Sequence, residues 1–344
     1  MSMESFLLAM PKVELHVHLE GTFRPATLLS LARKNGVSLP ADDVEGLRRW
    51  FRFRDFEHFV EIYVTCSRCL REPEDFHVLA LDFLAEQAIQ NVLYSEVHFT
   101  ISTHLCNGLD GEAVRQALVE AAEDGERRHG IRMRLIPDIV RNMETERADA
   151  TLEWAVDGLD RGVVALGMGG IEVGYSNEPF REHFAEARRK GLHTVCHAGE
   201  TGGPESIRSA LEVCGAERIG HGVRAVDDPS LVEELAARQI PLEVCPSSNV
   251  ALGVFGNLAE HSVDRLLQAG VTLSINSDDP PLFATNLTRE YLHLHRTFGY
   301  DKQQLAQLAL NGVRHAFLPE GERTKLEKRF VEELAALGVE VGGG

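Results

Sequence analysis

The sequence is short of positive charge. Its 344 residues carry 35 Lys and Arg against 53 Asp and Glu, a formal net charge of −18, and no polybasic tail. Binding to nucleic acid relies on Lys and Arg that neutralise phosphates, so no nucleic-acid partner is expected, and a neutral small substrate is compatible with this charge. Long hydrophobic runs are missing too: no stretch approaches the ~20 apolar residues of a membrane span. The first residues have neither the basic region nor the apolar region of a secretory leader. No membrane partner is expected, and a cytoplasmic location is. Cysteine is sparse and scattered: Cys66, Cys69, Cys106, Cys196, Cys214 and Cys245 make no disulfide framework in a chain of this length. Cys66-x-x-Cys69 lies in a helical pattern with no second pair downstream, and reads as packing. There is no internal repeat, low-complexity linker or break in composition, so residues 1–344 are expected to form one domain, and a homo-oligomer is compatible with the sequence.

The stretch that is most informative is Pro11-Lys12-Val13-Glu14-Leu15-His16-Val17-His18-Leu19-Glu20-Gly21-Thr22. Apolar and polar residues alternate, which is the period of a β-strand. Residues two apart on a strand point the same way, so His16 and His18 share a face. Two imidazoles side by side are half of a metal site.

The remainder alternates helix and strand. Arg24–Asn35 reads as a helix, with Pro25 near its start and Gly36 just past its end. Val37–Cys69 is too long for a simple connection and reads as a helical insertion placed to cover a site. Beyond the helix Glu74–Gln90, strands are expected at 92–99, 131–140, 163–167, 193–197, 218–220, 241–245 and 271–276. Helices are expected between them at 111–129, 145–159, 179–190, 205–213, 229–238 and 262–269. Residues 287–317 read as mostly helical and 320–337 as a closing helix; the tail Gly342–Gly344 reads as frayed. Eight strands alternating with helices predict an α/β fold, a single (β/α)8 barrel of the TIM type, with the helical insertion after the first strand–helix unit.

In such a barrel the chemistry sits at the carboxyl ends of the strands, and the unusual residues fall there. The first strand ends in His16-Val17-His18, the fifth in His197-Ala198-Gly199-Glu200, the sixth in Gly220-His221-Gly222, and the eighth in Asn276-Ser277-Asp278-Asp279-Pro280. One of these alone would be a strand cap or a turn; four at one end are not explained by capping. His16, His18, His197 and Asp278 suit a borderline cation such as zinc, with a position left for a water that the metal acidifies to a pKa of about 7. The third to fifth strands contain no lysine to bridge two metals, so one ion per chain is expected. His221 is placed to orient that water. Glu200 is placed as proton donor and acceptor, and Asp279 to accept a hydrogen bond from substrate. This set suits attack on an sp2 carbon with departure of an amine. A catalytically silent purine- or metal-binding barrel, and a different metal-dependent hydrolase such as a lactonase or phosphotriesterase, are the competing readings.

With these residues named, Pro11–Thr22, His197-Ala198-Gly199-Glu200-Thr201, Arg218-Ile219-Gly220-His221-Gly222, Glu243-Val244-Cys245-Pro246-Ser247-Ser248-Asn249 and Asn276-Ser277-Asp278-Asp279-Pro280 resemble, in order, the signature blocks of the adenosine/adenine deaminase family. The resemblance implies hydrolytic loss of the 6-amino group of a 6-aminopurine, with zinc on His16, His18, His197 and Asp278. It further implies Glu200 as proton donor to purine N1, His221 beside the attacking water, and Asp279 at purine N7. Two positions pull the substrate apart. Glu20 stands where adenosine-specific members have Asp against the ribose 5′-hydroxyl, as in relatives acting on free adenine. Leu166–Glu172 resembles the nucleoside enzymes, with Gly170 letting the backbone approach purine N3. A nucleoside with an altered 5′ end reconciles them: Gly169-Gly170-Ile171-Glu172-Val173-Gly174 and Ser277–Phe283 resemble bacterial aminodeoxyfutalosine deaminases. That substrate carries an aromatic carboxylate beyond the ribose, for which Arg52, Arg54 and Arg141 are candidate partners. Adenosine or deoxyadenosine is the near alternative within this reading, and free adenine the alternative outside it.

Overall fold

Eight parallel strands follow one another in sequence order: β1 (Lys12–His18), β2 (Val92–Phe99), β3 (Arg132–Val140), β4 (Ala165–Gly169), β5 (His193–Ala198), β6 (Arg218–His221), β7 (Leu242–Val244) and β8 (Leu273–Ile275). Each pairs with the next. This computed structural model describes residues 1–342; Gly343 and Gly344, part of the tail expected to fray, lie outside the described residues. The strands are buried along almost their whole length, as parallel strands covered by helices must be. The expected (β/α)8 barrel is the observed architecture.

The ring closes between β8 and β1, and the closure is unusual because β8 is short. Beyond Ile275 the seam is made by side chains and by the backbone of Asp278. Asn276 Oδ1 accepts from the amides of Leu15 (2.7 Å) and His16 (3.2 Å). Asp278 N donates to His16 O and His18 N donates to Asp278 O, at 3.1 and 3.0 Å. Glu14 accepts from the Ser277 amide (2.9 Å) and hydroxyl (2.5 Å), and from Gln87.

Local chemistry explains where the helices agree with expectation. Gly111–His129 starts at Asp110, whose side chain accepts from the Glu112 and Ala113 amides, and ends at Gly130 with φ +71°. Pro229–Arg238 is capped in the same way by Asp228. Residues 287–317 break at Gly299 (φ +76°) into Leu287–Phe298 and Lys302–His315, the second opened by an Asp301/Gln304 capping box. Three short helices were not expected: Met3–Ala9, Ile101–Cys106 and Pro246–Ala251. Each is only 6 or 7 residues long, too short for a periodic signal. The first lies next to the start of β1, where buried Lys12 donates to Leu7 O (2.5 Å) and Met10 O (2.6 Å). The insertion supplies helices Val44–Trp50 and Phe56–Ser67. Phe59 and Phe53 of this region pack on Phe283, with ring centroids 5.3 and 5.9 Å apart, so it covers the mouth at the β8 side. Cys66 and Cys69 are buried and unpaired to each other by any disulfide, as the packing reading expects. Among the described residues no helix is long and apolar enough to cross a membrane.

Inside the barrel, buried Arg218 lies 2.6 Å from Glu243 Oε1 and 2.5 Å from Glu96 Oε2, with its guanidinium 3.6 Å from the centroid of the Phe317 ring. Removing the cation of a buried ion pair leaves uncompensated charge, at a cost of about 3–5 kcal/mol. Arg218→Met is therefore expected to lower stability by about that amount, read as a fall in the urea midpoint; an unchanged midpoint would show that the two carboxyls are content without it.

Candidate active site

The carboxyl ends of β1, β5, β6 and the turn after β8 bring the expected site residues to one place. His18 Nε2 lies 3.0 Å from His197 Nε2 and 3.3 Å from Asp278 Oδ1. His16 Nε2 is 3.7 Å from the same Asp278 oxygen, and its ring centroid is 4.4 Å from that of His197. Donors held at ~2.0–2.1 Å from one tetrahedral ion stand roughly 3.3–3.4 Å apart, so these separations suit a single small cation.

The rings are aimed by what holds their other nitrogen. His16 Nδ1 meets Glu243 Oε2 at 2.8 Å, and Arg218 holds the opposite oxygen of that carboxylate. His197 Nδ1 donates to Met168 O at 2.8 Å. His18 Nδ1 faces Asp138 Oδ2 at 3.8 Å, and His98 Nδ1 bonds Asp138 Oδ1 at 2.9 Å. His16 and His197 are thus fixed by hydrogen bonds to partners outside the cage, as metal-ligating histidines generally are, whereas His18 Nδ1 only faces Asp138, which is bonded by His98. Burial, and then the neighbouring imidazoles, hold His16, His18 and His197 well below their ordinary pKa; neutral rings are the form that ligates. His16 Nε2 is buried with no hydrogen-bond partner. A buried lone pair facing two other imidazoles and a carboxylate is what a cation satisfies, so the residues fit the metal that the donor set predicts.

Beside this cage stand His221, Glu200 and Asp279. Asp278 sits at φ +63° and His221 at φ +60°, a left-handed backbone that side-chain-bearing residues adopt at some cost. His221 Nε2 is 3.7 Å from Glu200 Oε1 and 3.9 Å from Asp278 Oδ2. Burial, and then the negative charge of Glu172, push the Glu200 pKa up to about 8. Burial together with Asp278, Glu20 and Glu200 holds Asp279 well above the usual carboxylate range. That direction favours the carboxylic acid, a form that donates, over the acceptor read from the sequence. Gly21 approaches it so closely that a Cβ would lie 1.7 Å from Asp279 Oδ1. Gly170 has φ +86°, and a Cβ there would meet Asn142 Oδ1 at 2.5 Å; the same Asn142 oxygen accepts from Ile171 N at 2.9 Å, so the turn after β4 requires glycine.

Two expectations fare differently. Glu20 is buried near the cage, but its carboxylate is already engaged by Thr100 N (2.9 Å), His104 Nε2 (3.1 Å) and Tyr63 OH (3.3 Å). Arg141 is not on a rim: it is buried and donates to the carbonyl of His197, because the turn after β3 folds inward across β5. Arg52 and Arg54 are exposed on the insertion.

Several residues were missed by sequence reasoning. Glu172 accepts from the amides of Gly199, Glu200 (3.2 Å), Thr201 (2.9 Å) and Gly202 (2.8 Å), so a carboxylate from the turn after β4 holds the segment that carries Glu200. Burial alone would raise its pKa, but hydrogen bonds from Ser206 and the Gly202 and Gly199 amides keep it below the usual value. Glu243, Asp138 and His98 were also missed, although Glu243 lies in a quoted block and His98 ends a strand, as His18 does.

A parallel barrel with a buried imidazole–carboxylate cage at the carboxyl ends of its strands is the arrangement of an amidohydrolase-type enzyme, and its His and Asp groups could hold a metal ion. The family model described as adenosine deaminase matches residues 11–333, and the chain belongs to that family, whose members catalyse deamination. An adenine deaminase of Bordetella parapertussis is 41% identical over 311 residues, covering 90% of this chain and 98% of its own. An aminodeoxyfutalosine deaminase of Streptomyces coelicolor is 40% identical over 318 residues, covering 92% of this chain and 82% of its own. A Burkholderia ambifaria amidohydrolase with bound zinc superposes with a TM-score of 0.90 at 26% identity, covering 97% of this chain and 93% of its own.

Because the charge of Glu172 is one of the causes that raise Glu200, Glu172→Gln should move the alkaline limb of the kcat/KM profile to lower pH while bound metal per chain is unchanged. A limb that stays in place would show that Glu172 acts on the loop alone.

Proposed function

We propose that the protein is a zinc-dependent hydrolase that removes the 6-amino group of a 6-aminopurine and releases ammonia. The observation that carries this is the pairing of the imidazole–Asp278 cage with a buried carboxyl, Glu200, whose pKa of about 8 keeps it protonated at neutral pH beside that cage. His16, His18, His197 and Asp278 would hold the ion; zinc, when bound, lowers the pKa of a water to about 7 and so supplies a nucleophile at neutral pH.

The chain's own residues do the rest. Glu200 gives its proton to purine N1, which draws electrons from C6 and prepares that carbon for attack. His221 orients the attacking water against C6. Asp279, whose carboxyl is held above the usual range by burial and then by its acidic neighbours, donates to purine N7 and sets the ring in the plane that Glu200 requires. Gly170 lets the backbone approach N3. Proton transfer by a positioned group contributes typically ~10²–10⁴ in rate.

Within this chemistry we favour a nucleoside with an aromatic 5′ arm, of the aminodeoxyfutalosine kind, over the free base. The wall nearest Glu20 is aromatic: Tyr63 bonds Glu20 and packs on Phe59, which stacks on Phe283 and meets Phe53 edge to face. Such a surface suits an aromatic extension, and the Streptomyces coelicolor relative is named for that substrate. The second reading, free adenine, is favoured by the Glu20 carboxylate itself, whose protein donors compete with a ribose hydroxyl, and by the name of the Bordetella relative.

Glu200→Gln should lower kcat at least ~10²-fold with zinc content unchanged by metal analysis; retained turnover would sink the role given to Glu200. Ammonia release by the zinc-loaded wild type from aminodeoxyfutalosine, adenosine, deoxyadenosine and adenine, side by side, decides the substrate. Highest kcat/KM on aminodeoxyfutalosine is expected, and turnover of adenine alone would replace the nucleoside reading with the second.

A further inference from the structure

We propose that Asn249 and His261 are positioning residues that fix the tautomer of His221, so that it presents an Nε2–H to the reacting centre and acts there as a hydrogen-bond donor. The direction of the chain is set at its far end by a group that can only donate. The backbone N–H of Val263 donates to His261 Nδ1 at 3.0 Å. A neutral imidazole carries one hydrogen, so that of His261 is on Nε2. Nε2 lies 3.1 Å from Asn249 Oδ1, and the donation there fixes which way the amide faces. The Asn249 NH₂ is then turned to His221 Nδ1, 3.1 Å away. An amide NH₂ only donates, so His221 Nδ1 accepts and the ring hydrogen is on Nε2.

Burial is the main cause that holds His261 at about 3, so that ring is uncharged. The frame that spaces the relay is tied from both sides. Ser262 Oγ donates to Val223 O at 2.7 Å, joining the His261 segment to the turn that carries His221. Val254 N donates to Asn249 O at 2.9 Å, closing the loop after Pro246–Ala251. Phe255 packs on the His261 ring, 4.6 Å between centroids. Asn249, His221 and His261 are all buried, so water does not compete for these bonds.

The free end of the relay is His221 Nε2, buried without a hydrogen-bond partner between Glu200 and Asp278. An N–H there holds the lone pair of an oxygen placed between those carboxyls and directs it. In this state the ring is not the base that takes the water's proton. The role at the reaction rests on the deaminase reading above; the tautomer does not.

The test is ¹⁵N–¹H correlation NMR of the zinc-loaded protein labelled in its histidines, with the His221 signals assigned by a His221→Gln variant. Wild type is expected to show hydrogen on Nε2 and a bare Nδ1 for His221. Asn249→Asp presents an acceptor where the amide donates, and should move the hydrogen to Nδ1 and cut kcat by ~10²-fold or more, with KM and zinc content nearly unchanged. His261→Phe should leave the Asn249 amide free to turn, mixing the tautomers and lowering kcat, and His261→Gln, which keeps an N–H toward Asn249, should recover most of that loss. A wild-type His221 protonated on Nδ1, or an Asn249→Asp protein whose His221 tautomer is unchanged, overturns the proposal. If Asn249→Asp does not fold, the wild-type spectrum and the His261 pair still decide it. Failure of the deaminase reading would appear as absent ammonia release with the wild-type tautomer as stated.

Discussion

The seam between β1 and the turn after β8 is the contact on which the rest depends. Asn276 and Asp278 reach β1 from some 260 residues further along the chain, and their bonds to Leu15, His16 and His18 do two things at once. They close the ring of strands, and they bring the Asp278 carboxylate against the two imidazoles of the first strand. Strand closure and cage assembly are thus one event. Glu14 adds the Ser277 amide and hydroxyl to the same joint. A parallel barrel buries every strand, so unpaired backbone groups at this joint would be costly; the side chains of Asn276 and Glu14 supply what the short β8 does not.

Above that seam the site concentrates acids. Asp278, Asp279, Glu200, Glu20 and Asp138 are buried or nearly so around imidazoles kept neutral by burial. Like charges packed together cannot all ionise, so the pocket has two ways to settle: keep some carboxyls protonated, or take up a cation. Burial and these neighbours hold Glu200 and Asp279 above the usual carboxylate range, and the imidazoles with Asp278 provide the donors for the second. Beneath the cage, Arg218 pairs with Glu243 and Glu96, and Glu243 in turn engages His16 Nδ1 and leaves Nε2 to face the cage.

Much of the fold was legible in the sequence because its signals are local. The alternation of Val13, Leu15, Val17 and Leu19 with polar residues marks β1, and Asp110 with Gly130 brackets its helix to the residue. What failed was also local in cause. Met3–Ala9, Ile101–Cys106 and Pro246–Ala251 are too short to show a period, and residues 287–317, read as mostly helical, divide into two helices at Gly299. At the site, the residues we propose to carry the chemistry were legible as His and Asp at strand ends. Their supports were not: Glu172, Asp138 and His98 look like ordinary surface or core choices until the turns after β3 and β4 fold over β5. Arg141 was misjudged for the same reason.

The sequence by itself determined the succession of strands and helices, the family, and which side chains arrive at the carboxyl end of the barrel, because strand period, caps and turn residues act over a few positions. Only the tertiary structure decided what each of those side chains does. The second nitrogen of His16 is set by β7, that of His197 by β4, and that of His221 by a relay from Val263 through His261 and Asn249. Whether Glu200 holds a proton is set by burial and by Glu172 from the turn after β4. Hydrogen-bond direction and proton affinity are properties of the surroundings, and those surroundings are assembled from segments far apart in the chain.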